Sequence, residues 1–117
     1  MEKTVILASD SLANSRRIAD ALSGLDIGLA AVPIGSLREA AAEHPECDLA
    51  IAEPKGQPQA MLAEVQPALV QSGCKALLIV VAEDQLGSLR LPMNLPSDFV
   101  MADASAEEVR TRAGMLL

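Results

Sequence analysis

Short apolar runs alternate five times with amphipathic stretches along this chain of 117 residues. A continuous apolar run between polar turns is typical of a strand buried on both faces, and strands that alternate with helical patterns indicate βα units around a parallel sheet. The predicted strands are Thr4–Ala8, Ile27–Val32, Asp48–Ala52, Ala76–Ala82 and Asp98–Met101.

The stretches between these runs predict helices with recognisable ends. Gly24 and Gly73 are helix stops, and Ser36 with Glu39 and Ser105 with Glu108 form capping boxes. The predicted helices extend from Leu12 to Ser23, from Ser36 to about His44, from the turn with Pro58 to Gly73, and from Ser105 to the last residues. Their predicted core faces are formed by Leu12, Ile18, Ala21 and Leu22, by Leu62, Val65 and Leu69, and by Val109, Ala113 and Leu116.

Two places interrupt this regular pattern. Pro67 lies inside the third predicted helix and is expected to kink it or to split it in two, because proline removes a backbone donor. In the segment 83–97, Gly87, Pro92 and Pro96 leave room only for a short helix or an irregular loop.

Five successive right-handed βα units predict an α/β fold with one domain, residues 1–117. The expected architecture is a doubly wound, five-stranded parallel sheet of order 2-1-3-4-5 in three α/β/α layers, as in flavodoxin and CheY. Ligands of such sheets bind at the carboxyl ends of the strands.

The composition argues against several classes of function. A net charge of −7 and a pI near 4.5 argue against direct contact with nucleic acid, which needs clustered lysine and arginine. The apolar runs are too short to span a membrane, and no signal peptide is visible, so a cytoplasmic protein is expected. Phe99 is the only aromatic residue, so the core is built from aliphatic side chains.

The cysteine and histidine residues do not indicate a catalytic or metal-binding role. Cys47 and Cys74 each lie just before a predicted strand without metal-ligand spacing, and we expect two reduced, half-buried thiols. His44 lies at a predicted helix end, where a structural role is sufficient. No metal and no cofactor is predicted.

The residues at the predicted strand ends carry the functional signal. Ser9 and Asp10 follow the first strand, Glu53 follows the third, Val81 and Ala82 lie on the fourth, and Ala102 follows the fifth. A phosphoryl-transfer site at this edge needs a carboxylate nucleophile, carboxylates that hold Mg²⁺, a hydroxyl group and a cation.

Four segments resemble the receiver domains of bacterial response regulators, at a spacing that fits that family over essentially the whole chain. TVILASDS at 4–11 is similar to the first strand with its acidic pair, and DLAIAEP at 48–54 to the strand with the phosphoacceptor. LIVVA at 78–82 is similar to the fourth strand, and DFVMADASAEE at 98–108 to the fifth strand and the start of the last helix.

The resemblance implies a degenerate phosphorylation pocket. Its five positions and the aromatic switch position are occupied as follows: Ser9 in place of the first acid, the retained acid Asp10, Glu53 in place of the acceptor aspartate, Val81 in place of the hydroxyl residue, Ala102 in place of lysine, and Phe99 at the switch. We therefore expect no efficient phosphorylation, no enzymatic activity, and at most weak residual Mg²⁺ binding at Asp10 and Glu53.

Two alternatives stay open at these carboxylates. Glu53 either imitates a phosphorylated acceptor or is only a solvated carboxylate at a strand end. Asp10 either belongs to the pocket or is only the N-cap of the first helix.

The leading hypothesis is a receiver-like domain that acts through protein partners or self-association. The resemblance places this contact on the fourth helix region, the fifth strand and the last helix. It also implies the N-terminal module of a longer regulator, with an output domain such as a transcription factor, although a stand-alone regulator stays open. The alternatives are a small-molecule-binding flavodoxin-like protein or enzyme, with the loop 9–15 at its site, and a receiver weakly phosphorylated on Asp10 or Glu53.

Overall fold

The protein, described here by a computed structural model for residues 2–117, folds around one five-stranded parallel sheet. The strands are β1 Lys3–Ala8, β2 Ile27–Val32, β3 Leu49–Ala52, β4 Leu77–Val81 and β5 Ser97–Met101, in the order β2-β1-β3-β4-β5. The helices are α1 Leu12–Ala21, α2 Leu37–Glu43, α3 Pro58–Ser72, α4 Glu83–Leu86 and α5 Ala106–Leu116, and a 3₁₀ turn at Ile34–Ser36 precedes α2. The predicted doubly wound fold and strand order are confirmed.

Both faces of the sheet are covered by helices, which explains the uninterrupted apolar strands. Every residue of β3 and β4 is buried. In β1, Ile6 and Ala8 face a cluster with α2 and α3, whereas Val5 and Leu7 face a second cluster with α1 and α5. The chain thus has the three-layer arrangement that its sequence predicts.

The predicted core faces are correct for α3 and α5 but not for the start of α1. Ile18, Ala21 and Leu22 are buried, whereas 66% of Leu12 is exposed. Leu12 is the first residue of α1, and the helix passes over the sheet only further along, so the prediction for Leu12 is wrong.

Only one of the two predicted capping boxes has a working serine cap. Ser105 is extended, at φ −64° and ψ 157°, and its hydroxyl accepts the Glu108 N–H at 3.1 Å. Ser36 has φ −102° and ψ 9° because the preceding 3₁₀ turn has already bent the chain, and its side chain makes no capping bond. The capping box at Ser36 is therefore wrong.

Pro67 does not split the third helix, contrary to one of the two outcomes expected from the sequence. The helix α3 is continuous from Pro58 to Ser72, and Pro67 lies on its exposed side. The carbonyl of Ala63, which loses its helical donor at Pro67, belongs to an exposed residue that water can solvate. Gly73 ends the helix in the left-handed conformation, at φ 83°, as predicted.

The segment after β4 contains the predicted short helix followed by irregular chain. The helix α4 has only four residues, and the chain to β5 has no further helix or strand. Leu95 anchors this segment in the core. None of the helices in residues 2–117 is long and apolar enough to cross a membrane.

Asp48 stabilises the amino edge of the sheet, which is the end at which the parallel strands begin. Its carboxylate accepts the Thr4 N–H at 2.8 Å, and the Lys75 ammonium lies 3.3 Å from its other oxygen. The hydrogen bond from Thr4 lowers the pKa of Asp48 below its usual 3.8; partial burial opposes this shift, and Lys75 adds to it. The charged carboxylate thus links the beginnings of β1, β3 and β4.

Replacement of Asp48 by asparagine tests this link. Because the pKa is lowered in the folded state, the contribution is complete above about pH 3.8 and is lost as the pH falls through the folded-state value. We expect Asp48→Asn to lower the free energy of unfolding by about 1 kcal/mol at neutral pH, with a smaller difference at low pH, measured by urea unfolding. The exposed residue Asp103 provides the control Asp103→Asn, and an equal loss in both variants would contradict the link.

Candidate functional site

Ser9 and Glu53 are in contact at the carboxyl edge of the sheet, which is the end at which the parallel strands finish. They meet there because β1 and β3 are paired neighbours. Ala8 lies opposite Ala52, so the residues that follow are side by side, and the Glu53 N–H donates to the Ala8 carbonyl at 2.9 Å. The Ser9 hydroxyl, in a residue only 9% exposed, donates to Glu53 Oε1 at 2.5 Å and accepts the Ser11 N–H at 3.0 Å. Glu53 therefore turns inward, onto the end of β1.

Asn14 occupies the second oxygen of Glu53. Its Nδ2 group donates to Oε2 at 2.7 Å from the first turn of α1. That turn is fixed by Ser11, whose hydroxyl accepts the Asn14 N–H at 3.2 Å as the N-cap. Both oxygens of Glu53 thus accept hydrogen bonds from neighbouring side chains. Sequence reasoning did not single out Asn14, although a polar residue in the first turn after β1 is a signal for a side chain at this edge.

Asp10 is not the N-cap of α1, because Ser11 has that role. The Asp10 carboxylate instead accepts the Ile34 N–H at 3.0 Å and pairs with the Lys55 ammonium at 2.9 Å. The bond to Lys55, followed by that to Ile34, lowers the pKa of Asp10 below its usual value. Asp10 consequently joins the chain after β2 to the loop after β3. Lys55 was not identified as its partner from the sequence.

Gln85 closes the other side of this edge. Its Nε2 group donates to the carbonyls of Pro54 at 3.1 Å and Gly56 at 2.6 Å, and its Oε1 accepts the Ala82 N–H at 2.8 Å. The loop after β3 is thereby tied to α4 by one amide side chain, which sequence reasoning also missed.

The two remaining pocket positions present no polar side chain. Val81 is completely buried in the apolar cluster formed with α2 and α3. Ala102 is half-buried against the opposite cluster, and its N–H donates to the Val81 carbonyl at 2.8 Å. Neither residue can bind or stabilise a phosphoryl oxygen with its side chain.

Phe99, at the switch position, is half-buried beneath an arginine. The Arg112 guanidinium lies 5.6 Å from the centre of the ring, within the range of a cation–π contact. Arg112 is itself held by Asp98 at 3.1 Å and by Glu108 at 3.6 Å. This ion-pair network of β5 and α5 covers the ring.

A depression of about 470 Å³ lies at the carboxyl ends of the strands, and its lining includes Lys55 and Gln85. Asp10, Glu53 and Asp84 contribute its carboxylates, and the first two already interact with donors of the protein. Within residues 2–117, no group of three or more histidine, cysteine, aspartate or glutamate side chains is arranged to hold a metal ion.

Comparison with known proteins identifies the fold. The sequence matches no protein-family model and no curated protein. Among solved structures, a response regulator receiver domain protein of Bacillus halodurans is similar at a TM-score of 0.79 and 18% identity, over 100% of this chain and 98% of that one. The receiver domain of the putative response regulator NarL of Mycobacterium tuberculosis gives 0.74 and 18%, over 98% and 96%.

A third similar structure has a different description. The pilus assembly protein CpaE of Caulobacter crescentus gives a TM-score of 0.74 at 14% identity, over 97% of this chain and 98% of that one. At these identities the likeness concerns the fold. The chain therefore has the fold of response regulator receiver domains, as its sequence motifs suggested.

The hydrogen bond between Asn14 and Glu53 can be measured with a double-mutant cycle. We expect Asn14→Ala to lower the free energy of unfolding by about 1 kcal/mol, and most of this loss to vanish in the Glu53→Ala background, because the partner is then absent. Urea unfolding of the two single variants and the double variant gives the coupling energy.

Asp84 provides the matched control, since it borders the same depression and makes no hydrogen bond to Asn14. The coupling of Asn14→Ala with Asp84→Ala should be near zero. Equal coupling to Glu53 and to Asp84 would show a general charge effect and would refute the specific bond.

Proposed function

We propose that this chain is a signal-transduction receiver domain that acts without aspartyl phosphorylation. The observation that carries the proposal is the double engagement of Glu53, whose two carboxylate oxygens accept hydrogen bonds from Ser9 and Asn14. A carboxylate nucleophile needs a free oxygen that is aligned with the incoming phosphoryl group, and here both oxygens are held by donors within the fold.

The charges around Glu53 support the same proposal. Mg²⁺ binds through carboxylate oxygens, and Asp10 is already paired with Lys55. A bound Mg²⁺ ion would have to compete with the Lys55 ammonium, because this ammonium already neutralises the Asp10 carboxylate. Glutamate also extends one methylene beyond aspartate, so the reacting oxygen would lie in a different place.

The side chains that would sense a phosphoryl group are absent at Val81 and Ala102. For the same reason we do not favour Glu53 as an imitation of a phosphorylated acceptor. The Glu53 carboxylate contacts Ser9, which follows β1, and Asn14 of α1. Neither partner lies on β4 or β5, where the switch residues of the receiver family are located. Glu53 in this proposal is a structural carboxylate that joins β1, α1 and β3.

The output in this proposal is contact with protein, through the region of α4, β5 and α5. Large apolar side chains are exposed on α4 and on the chain that follows it, namely Leu86, Leu91 and Met93. The similar pilus assembly protein supports a use of this fold in protein assembly. We propose either a second copy of this chain or a protein partner as the occupant of this surface.

Further parts of the proposal concern the protein as a whole. Residues 1–117 would form one module of a longer cytoplasmic regulator, in which an attached output domain, such as a transcription factor, would make any contact with nucleic acid. The net charge of −7 supports the absence of direct nucleic-acid contact by this module. We propose no catalytic activity and no cofactor; the depression at the strand ends lacks an aromatic side chain on which a flavin ring would stack.

The first experiment is a titration with Mg²⁺ and beryllofluoride, followed by NMR. We expect no saturable shifts at Asp10, Glu53 or Phe99 in the wild-type chain. The matched variant carries Ser9→Asp, Glu53→Asp, Val81→Thr and Ala102→Lys, which restore the missing groups, and it should gain a Mg²⁺-dependent response.

Saturable shifts at Phe99 in the wild-type chain would show that the switch still works and would refute the proposal. A restored variant that folds but does not respond would show that the loss lies beyond these four positions, and it would remove the proposed reason.

The contact surface is tested by sedimentation over a wide range of protein concentration. If the occupant is a second copy, the wild-type chain self-associates, and the combined change Leu91→Ser and Met93→Ser should weaken this association at least tenfold, which corresponds to about 1.4 kcal/mol. Leu12→Ser, at an exposed leucine of α1, is the control. An equal effect of the control variant would rule out this surface, and a wild-type chain that stays monomeric would rule out self-association.

A further inference from the structure

Cys47 and Cys74 form a buried pair at the amino edge of the sheet, far from the carboxyl edge with Glu53. Only 1% of Cys47 and 6% of Cys74 is exposed, and both are free thiols. Their sulfur atoms are 3.1 Å apart. The two cysteines are 27 positions apart in the sequence, so local patterns do not reveal this contact, and the sequence-based predictions did not include it.

The backbone geometry explains the contact independently of the side chains. In the pairing of β3 with β4, Ala50 lies opposite Leu77, and Cys47 and Cys74 each lie three residues earlier in the same register. The Lys75 N–H donates to the Cys47 carbonyl at 3.0 Å, so the pairing continues to the cysteines. Neighbouring strands are about 4.8 Å apart, within the roughly 4.4–6.8 Å between Cα atoms that a disulfide requires.

The two thiols are not equivalent. The Cys47 S–H donates to the Cys74 sulfur, and this bond lowers the pKa of Cys74 and raises that of Cys47. Cys74 is also the more exposed of the two, directly after the end of α3 at Gly73. A thiolate is the reactive form of cysteine, so Cys74 is the sulfur that an oxidant would meet first.

We propose that Cys47 and Cys74 are a redox site that closes to an intrachain disulfide when the protein meets hydrogen peroxide or another hydroperoxide. The sulfur atoms need to approach by only about 1 Å to reach the bond length of about 2.05 Å. The site is independent of the receiver proposal, because it needs neither phosphorylation nor a partner.

The reaction has two balanced steps. The Cys74 thiolate attacks one oxygen of hydrogen peroxide, the O–O bond breaks, and the departing hydroxide takes up a proton to form water, which leaves a sulfenic acid on Cys74. The Cys47 sulfur then attacks the Cys74 sulfur, the S–O bond breaks, and the hydroxyl group leaves with the Cys47 proton as a second water. Two thiols and one peroxide thus give one disulfide and two waters.

The disulfide would close a loop that contains β3, the turn with Glu53 and Lys55, and all of α3. A closed loop restricts the unfolded chain, so the oxidised form should unfold at a temperature higher by about 10 °C. A dithiol reductant reverses the reaction and returns both thiols.

The test is mild oxidation of the whole folded chain with hydrogen peroxide. We expect titratable thiols to fall from two to none, a mass loss of two hydrogens in the monomer, a linked peptide pair that contains Cys47 and Cys74, and full recovery with dithiothreitol. The variants Cys47→Ser and Cys74→Ser, checked for folding by circular dichroism, separate the two sulfurs.

In Cys47→Ser, dimedone should label Cys74 as a sulfenic acid; in Cys74→Ser, labelling of Cys47 should be at least about tenfold slower, because Cys47 is the more deeply buried of the two thiols and peroxide reaches it less readily. The proposal is wrong if the folded wild-type chain keeps both thiols in peroxide, or if disulfides form mainly between chains. Equal dimedone labelling of the two variants would overturn the order of the steps.

Discussion

The structure depends on one constraint, that a parallel sheet must be covered on both faces. Every residue of β3 and β4 is buried, and aliphatic side chains from four helices cover the two faces. Polar groups are therefore expelled to the two edges where the strands begin and end. The fold has a carboxyl edge with Ser9, Asp10 and Glu53, and an amino edge with Asp48 and the cysteine pair.

The same constraint explains which predictions from sequence succeed. A buried strand shows itself as an apolar run, and the helix stop at Gly73 follows from its own conformation, so the strands, their order and most helices are predictable. The errors lie where the surroundings override the local signal. The cap at Ser36 fails because of the preceding 3₁₀ turn, Leu12 lies beyond the reach of the sheet, and Pro67 faces solvent.

The contacts at the two edges are less predictable for a different reason. Strand pairing in the fold sets which side chains meet across dozens of sequence positions, so local periodicity contains no record of the partner. Glu53 and Asp10 can be singled out because they follow strands, but Asn14 and Lys55, their partners, come from neighbouring elements. The same holds for Cys47 and Cys74, whose pairing becomes visible only with the register of β3 and β4.

The shortness of the four-residue helix α4 affects how fast the segment between β4 and β5 opens and how long a complex formed there lasts. Few helical hydrogen bonds protect the backbone between β4 and β5, so its amide hydrogens should exchange with water through local opening, without unfolding of the sheet. A molecule that orders this segment must offset roughly 1–2 kcal/mol of backbone entropy for each residue it fixes. Binding there would favour complexes that form and dissociate readily, while the buried strands behind the segment stay unchanged.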